Sequence, residues 1–217
     1  MSLCAIDVEC VATGLGHSDR ELCRIAVVTL DGGVLLDQLI KPEKPVVSYL
    51  TPITGLSQGC LDGAPLWKDA RAKVHALFSP SMTIVGQCVN NDIKWLELER
   101  GVHYAEVVDI AELFSAWNPR FDRVEHFSLA HEVKVLLGET PSGAHNPVQE
   151  CKQCLQLYKK YAHSVWDLAA AKKKLYTTPR TPSTAKALGF SIDGVCLAAY
   201  SPERCTCRQP TLAVAVL

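Results

Sequence analysis

The chain has no run of about 18 apolar residues and no basic stretch leading into an apolar one, so neither a membrane span nor a secretory leader is expected. It also lacks an excess of either charge: 22 Lys and Arg face 23 Asp and Glu, for a formal net charge of −1. Without a basic excess, an architectural or long-duplex nucleic-acid binder is disfavoured. A nucleic-acid ligand would have to be held by a local patch or through metals, as in an enzyme that handles a strand end. No internal repeat is present, and the ten cysteines repeat no framework spacing. They read as reduced thiols of an intracellular protein, with nucleus or cytoplasm left open. The lesser alternative is a zinc site joining Cys151-x-x-Cys154, in a helical stretch, to Cys205-Thr-Cys207 in the tail.

What is present is apolar material in short pieces. At 217 residues, 48% hydrophobic and 21% charged, the chain can bury a sizeable core. Residues 3–12, 22–30 and Val34–Ile40 are β-rich runs, the last reached through the turn Asp31-Gly32-Gly33, and they predict an antiparallel opening. A Pro- and Gly-rich connection over Lys41–Pro65 precedes a helical pattern near 66–78. Met82–Val85 and Val107–Ile110 read as further strands, with helices over Asn90–Arg100, 127–137, 147–162 and Trp166–Tyr176. Strands alternating with helices after residue 66 imply parallel pairing and crossovers. The expected fold is α/β, a mixed five-stranded sheet flanked by helices, with a C-terminal extension. The expected division is a domain over 1–163 and an extension over 164–217, comprising a helix, a Thr/Pro linker at 177–183 and a hairpin of Gly194–Ser201 with Gln209–Leu217.

The strongest chemical signal is Ala5-Ile6-Asp7-Val8-Glu9. Side chains at i and i+2 of a strand share a face, so two carboxylates stand together with Ile6 and Val8 behind them. Like charges this close repel unless a cation lies between them. Two later segments can supply further ligands. Gly86-Gln87-Cys88-Val89-Asn90-Asn91-Asp92 runs from a strand end into a helix, with Asp92 in its first turn. Gly143-Ala144-His145-Asn146-Pro147-Val148-Gln149-Glu150 opens the long helix; Pro147 suits its first position, with His145 at its mouth and Glu150 a turn inside. Taken singly, each has a plainer role: Asp92 as a helix-start acid, His145 as a surface or capping histidine, Asp109 as a structural acid at a strand end. Lys172–Lys174 reads first as a solvated helix end, and Phe127, Leu129, Val133 and Leu136 as core.

The order acid-x-acid, later Asp, then His and an acid five residues on resembles the DEDDh 3′–5′ exonucleases of the DnaQ-like, ribonuclease H-like superfamily. The wording is closest to the Rex-type RNA exonucleases, with Phe127-Ser128-Leu129-Ala130 and Thr51-Pro52-Ile53-Thr54-Gly55-Leu56 also similar. The resemblance spans about residues 3–162, with three departures: Glu150 where the family usually has Asp, Gln87 where it has His, and Glu9-Cys10-Val11 in place of Glu-Met-Val. It implies a metal-dependent 3′–5′ exonuclease that releases nucleoside 5′-monophosphates. Asp7, Glu9, Asp92 and Glu150 would hold two divalent ions, Mg²⁺ or Mn²⁺, about 3.5–4 Å apart. His145 would be the general base, and Cys10, Val11, Thr54, Gly55 and Leu56 would meet the terminal nucleotides. The implied partner is a single-stranded 3′ end, RNA preferred over DNA, with no membrane. The competing expectation, suggested by Glu150 and Gln87, is a degenerate exonuclease fold acting as a nucleic-acid- or protein-binding module.

Overall fold

Alternating apolar residues fold the first runs into β1 (Leu3–Ala12), β2 (Arg20–Thr29) and β3 (Val34–Leu39), antiparallel neighbours in chain order. The computed structural model describes residues 2–119, 122–140, 143–199 and 201–207. A connection holding the one-turn α1 (Thr51–Thr54) leads to α2 (Trp67–His75) and then to β4 (Thr83–Gly86). The short α3 (Asn90–Trp95) crosses to β5 (Glu106–Asp109). β4 pairs parallel with both β1 and β5, giving the five-stranded order β3-β2-β1-β4-β5. The expected mixed sheet is therefore present, with β1 at its centre.

The sheet buries both faces, each with its own cluster. One face sets Cys4, Ile6, Ile25, Val27 and Ile84 against Val74, Ile93 and Leu96 from the α2 and α3 regions. The other sets Ala5, Ala26, Val28 and Val85 against a second group of helices. These are α4 (Ile110–Phe114), α5 (Leu129–Glu132) continued by a π-helical turn (Val133–Leu137), α6 (Pro147–Tyr161) and α7 (Val165–Thr177). Phe127, Leu129, Val133 and Leu136 lie in this second cluster, as expected, and α7 adds Ala171 and Leu175 to it.

Several elements differ from expectation. The helix expected over Asn90–Arg100 stops at Trp95, because Glu97 adopts a left-handed φ of 51° and the Leu98 amide bonds back to the Ile93 carbonyl. That reversal turns Leu98 into the core. The helix expected from 127 starts at Leu129, where the Ser128 side chain accepts from the His131 amide. A small hairpin of β6 (Ala116–Asn118) and β7 (Arg123–Glu125) was not anticipated, nor were α1, α4 and α8 (Thr184–Ala187). The 177–183 linker is anchored: Arg180 sits 3.9 Å from the Phe127 ring centroid and donates to Glu125 at 2.8 Å. In the extension, β8 (Ser191–Ile192) pairs with β9 (Val195–Cys196). The expected partner strand at 209–217 lies outside the described residues. Among the described residues, no helix is long and apolar enough to cross a membrane.

Candidate active site

Four acids and a histidine converge where β1, α3 and the start of α6 meet. Asp7 and Glu9 project from the β1 face that α6 covers, beside Ala5 and opposite Ile6. A β-bulge between Glu9 and Cys10 interrupts the register with β2. Such a bulge bends the strand and re-aims the side chains next to it. It sends Val11 and Ala12 inward, where both are buried.

β1 pairs with β4 only as far as Ala5 with Val85. Beyond that point the Asp92 carboxylate accepts the Val8 amide, tying the first turn of α3 between the two β1 acids. The approach depends on Gly86, where a Cβ would lie 3.0 Å from the Ile6 carbonyl oxygen and 2.8 Å from Val89 Cγ2. Asp109 holds the same turn from the other side. Its carboxylate accepts the Cys88 and Val89 amides at 2.9 and 3.0 Å and caps α4 through the Ala111 amide at 3.0 Å. Asp109 is thus a positioning acid at the end of β5, and Cys88 is held at a left-handed φ of 51°.

Asn146 caps α6 through its side chain, and Pro147 occupies the first turn. His145 precedes the cap, and its amide donates to the Ile53 carbonyl at 2.6 Å. This bond carries the histidine on the Thr51–Gly55 turn, whose Gly55 has a φ of +70° and lies close to Ala144. His145 Nδ1 is 3.3 Å from Glu150 and 3.9 Å from Glu9, and its Nε2 faces Thr184 Oγ1 at 3.5 Å.

Burial and mutual repulsion dominate the electrostatics. Burial, then the charges of Glu150, Asp92 and Glu9, raise the Asp7 carboxyl far above the ordinary carboxylate range. Burial and then Glu150 push Glu9 up to about 8, with Arg24 acting against them. Burial likewise raises Asp92 and Glu150, and His145 partly relieves Glu150. Glu9 Oε1 is buried and has no hydrogen-bond partner among the described residues. An orphaned carboxylate oxygen amid like charges is where a cation adds most stabilisation. Glu9, His145 and Glu150 bring ligand atoms within 4.8 Å of one another. The donor set, hard oxygens with one imidazole, suits Mg²⁺ or Mn²⁺.

The expected nucleotide-contacting set divides. Cys10 lines an open cavity and Gly55 is exposed. Val11, Thr54 and Leu56 are at most 7% exposed. Val11 and Leu56 pack into a small apolar cluster, and Thr54 Oγ1 donates to the Tyr49 carbonyl at 2.7 Å, so these three side chains face the interior.

Two features escaped sequence reasoning. The cavity beside the acids, about 590 Å³, is walled by Gln87, Leu129, His145 and Glu150 but also by Pro182 and Thr184 of the C-terminal segment. No local signal marks residues 39 positions from His145. Glu132 is fully buried beside Gln87, and among the described residues neither its carboxylate oxygens nor Gln87 Oε1 meets ordinary hydrogen-bond geometry. Burial and then the Asp109 charge raise the Glu132 carboxyl far above the ordinary carboxylate range, with the Gln87 side chain acting against them.

The exonuclease family model of the RNase T type matches residues 4–158. RNA exonuclease 4 of Cryptococcus neoformans is 29% identical over 167 residues, covering 75% of this chain and 40% of that protein. Small RNA degrading nuclease 2 of Arabidopsis thaliana is 31% identical over 164 residues, covering 72% of this chain and 34% of that protein. The Saccharomyces cerevisiae Pan2 pseudoubiquitin hydrolase–RNA exonuclease module, solved with AACCAA RNA, superposes with a TM-score of 0.68 at 22% identity. That match covers 88% of this chain and 33% of the module, and the likeness is one of fold. The chain thus spans 40% or less of the length of these relatives. With the family model covering most of it and the acids gathered at the centre of the sheet, the chain belongs to the RNase T exonuclease family.

Proposed function

We propose that the chain is a metal-dependent 3′–5′ exoribonuclease that releases nucleoside 5′-monophosphates from single-stranded RNA ends inside the cell. The observation that carries this reading is the buried, partnerless Glu9 oxygen facing His145 and Glu150, with Asp7 and Asp92 raising the local negative charge further. Asp7, Glu9, Asp92 and Glu150 would hold the divalent ions, two of them in this proposal. Bound there, Mg²⁺ or Mn²⁺ supplies the positive charge that acidifies a water and stabilises the leaving oxygen.

The chain's own groups do the rest. His145 turns Nδ1 toward the acids while its Nε2 faces Thr184 Oγ1, and in this proposal the imidazole takes a proton from the attacking water. Asp92 and Asp109 fix the turn against β1, and Gln87 and Leu129 wall the cavity into which the terminal nucleotide fits. Residues 1–163 form the exonuclease domain in this proposal, and residues 164–217 are an extension that reaches back to its active site through Thr184.

The deciding assay incubates 3′-labelled and 5′-labelled single-stranded oligoribonucleotides with the protein in Mg²⁺ or Mn²⁺. The 3′ label should appear at once as mononucleotide, while the 5′-labelled strand shortens stepwise. Retained binding with no release in either metal would instead make the chain a binding module on a degenerate exonuclease fold. Glu150→Asp provides a second check. The shorter arm keeps the charge, so activity should be preserved or raised; a loss as large as that of Glu150→Ala would mean that carboxylate reach matters more than charge.

A further inference from the structure

A second cluster of metal-binding side chains lies away from the acids. His17, in the loop between β1 and β2, meets Cys196 of β9 and Cys205 and Cys207 beyond it, with one ligand atom from each within 4.8 Å of all the others. His17 Nδ1 is 3.1 Å from Cys207 Sγ and 3.5 Å from Cys205 Sγ, and the two sulfurs are 3.4 Å apart. Around tetrahedral zinc, with Zn–S near 2.3 Å and Zn–N near 2.0–2.1 Å, ligand atoms are separated by roughly 3.6–3.8 Å. The four groups are thus already near the edges of such a tetrahedron, although the chain must bring residue 17 to residues 196–207 to assemble it. No disulfide joins any of the ten cysteines.

The surroundings are built for thiolates. The backbone N–H groups of Ala198 and Thr206 point at the Cys196 sulfur. The Cys196 amide donates to the Leu15 carbonyl at 2.8 Å, and its carbonyl accepts from Arg20 at 2.8 Å. The Arg20 guanidinium also lies within electrostatic reach of the Cys196 and Cys207 sulfurs, balancing the single negative charge of a Cys₃His zinc complex. The segment needs such a fastening. Among the described residues its apolar anchorage is small: Val195 is buried with Ala12 and Leu50, with Ile53, Ile192 and Leu197 packed alongside, and Ala198 is also buried. So few buried residues rarely hold a short segment in place without a staple.

We propose that His17, Cys196, Cys205 and Cys207 bind one structural zinc ion that pins the C-terminal segment to the β1–β2 loop. Three thiolates and an imidazole form a closed, soft site that favours zinc over the hard ions suited to the acids. The ion fixes His17 in the wall of a cavity of about 430 Å³ shared with Cys10, Arg20, Asn91, Lys94 and Trp95, next to Asp92. Cys205 and Cys207 gather with His17 and Cys196, whereas Cys151 and Cys154, the partners the sequence offered, are buried in the main core. The proposal does not depend on the exonuclease reading.

The test measures zinc by elemental mass spectrometry in the full chain after dialysis against Mg²⁺-containing buffer, which keeps the acid cluster filled. About one zinc per chain should remain. It should fall by about tenfold or more in a Cys205→Ser/Cys207→Ser variant and stay unchanged in Asp7→Asn. Because the double variant can misfold, the unaltered chain is also stripped and titrated with Co²⁺, which should give thiolate-to-cobalt charge-transfer bands and tetrahedral visible absorption. Zinc lost in Asp7→Asn but kept in the double variant would overturn the proposal. So would a chain that retains no zinc and gives no charge-transfer bands.

Discussion

Asp7→Asn is expected to reduce mononucleotide release by about 10³-fold or more, while the protein melts at the same temperature or higher. The substitution keeps the shape of the side chain and removes one charge from a group of four. Asp7 is pressed by Glu150, Asp92 and Glu9 at once, so the neutral amide relieves repulsion in the metal-free protein. A cation that depends on this charge loses affinity, and the activity goes with it. Release kinetics, thermal melting and RNA affinity measured together separate the outcomes. Unchanged activity would mean that the chemistry lies elsewhere; lost activity with a collapsed melting curve would make Asp7 structural.

Stability in the absence of divalent ions should fall as pH rises, the reverse of the behaviour of a protein stabilised by paired carboxylates. A carboxyl whose folded pKa exceeds its unfolded value binds its proton more tightly when folded. Its stabilising contribution is complete below the unfolded value and is lost as pH climbs through the folded one. For Glu9 that window runs from 4.5 to about 8. Each carboxyl that retains its proton over part of the window contributes a slope of about 1.4 kcal/mol per pH unit. Melting temperatures in chelator should therefore decline between about pH 5 and 8, and Mn²⁺ should flatten or reverse the decline. His131 opposes this trend, because burial lowers its pKa and favours the fold as pH rises. Comparison with Glu9→Gln isolates the acids: that variant should lose about one proton's share of the slope. A melting temperature in chelator that is independent of pH, in both proteins, would show that these carboxyls are ionised and well solvated.

Much of this architecture was legible because its signals are local. The alternation in Leu3–Ala12 and Arg20–Thr29 and the acid-x-acid pair give the central strands and the face that carries the site. Pro147 after Asn146 marks the start of α6, and with it the approach of His145 to Glu150. What was missed depends on distance or on very short elements. Nothing near Thr184 signals His145, and nothing near His17 signals Cys196. The burial of Thr54 and Leu56 was hidden because a Pro- and Gly-rich stretch reads as surface, whereas here it folds under itself through Thr51 and Thr54 hydroxyl bonds to backbone carbonyls. The early end of α3 came from Glu97 in a left-handed conformation, which residue type does not announce.

The family match ends at residue 158, but the hydrophobic core does not. Leu175 is fully buried, Lys174 donates to the Val135 carbonyl at 2.7 Å, and the Arg180 guanidinium lies over the Phe127 ring. A segment cut at the end of the family match would leave behind the core contacts that α7 and the 177–183 linker add to the 1–163 domain. The heritable motif and the smallest portable unit are of different lengths, and only the longer one brings its own lining for the cavity.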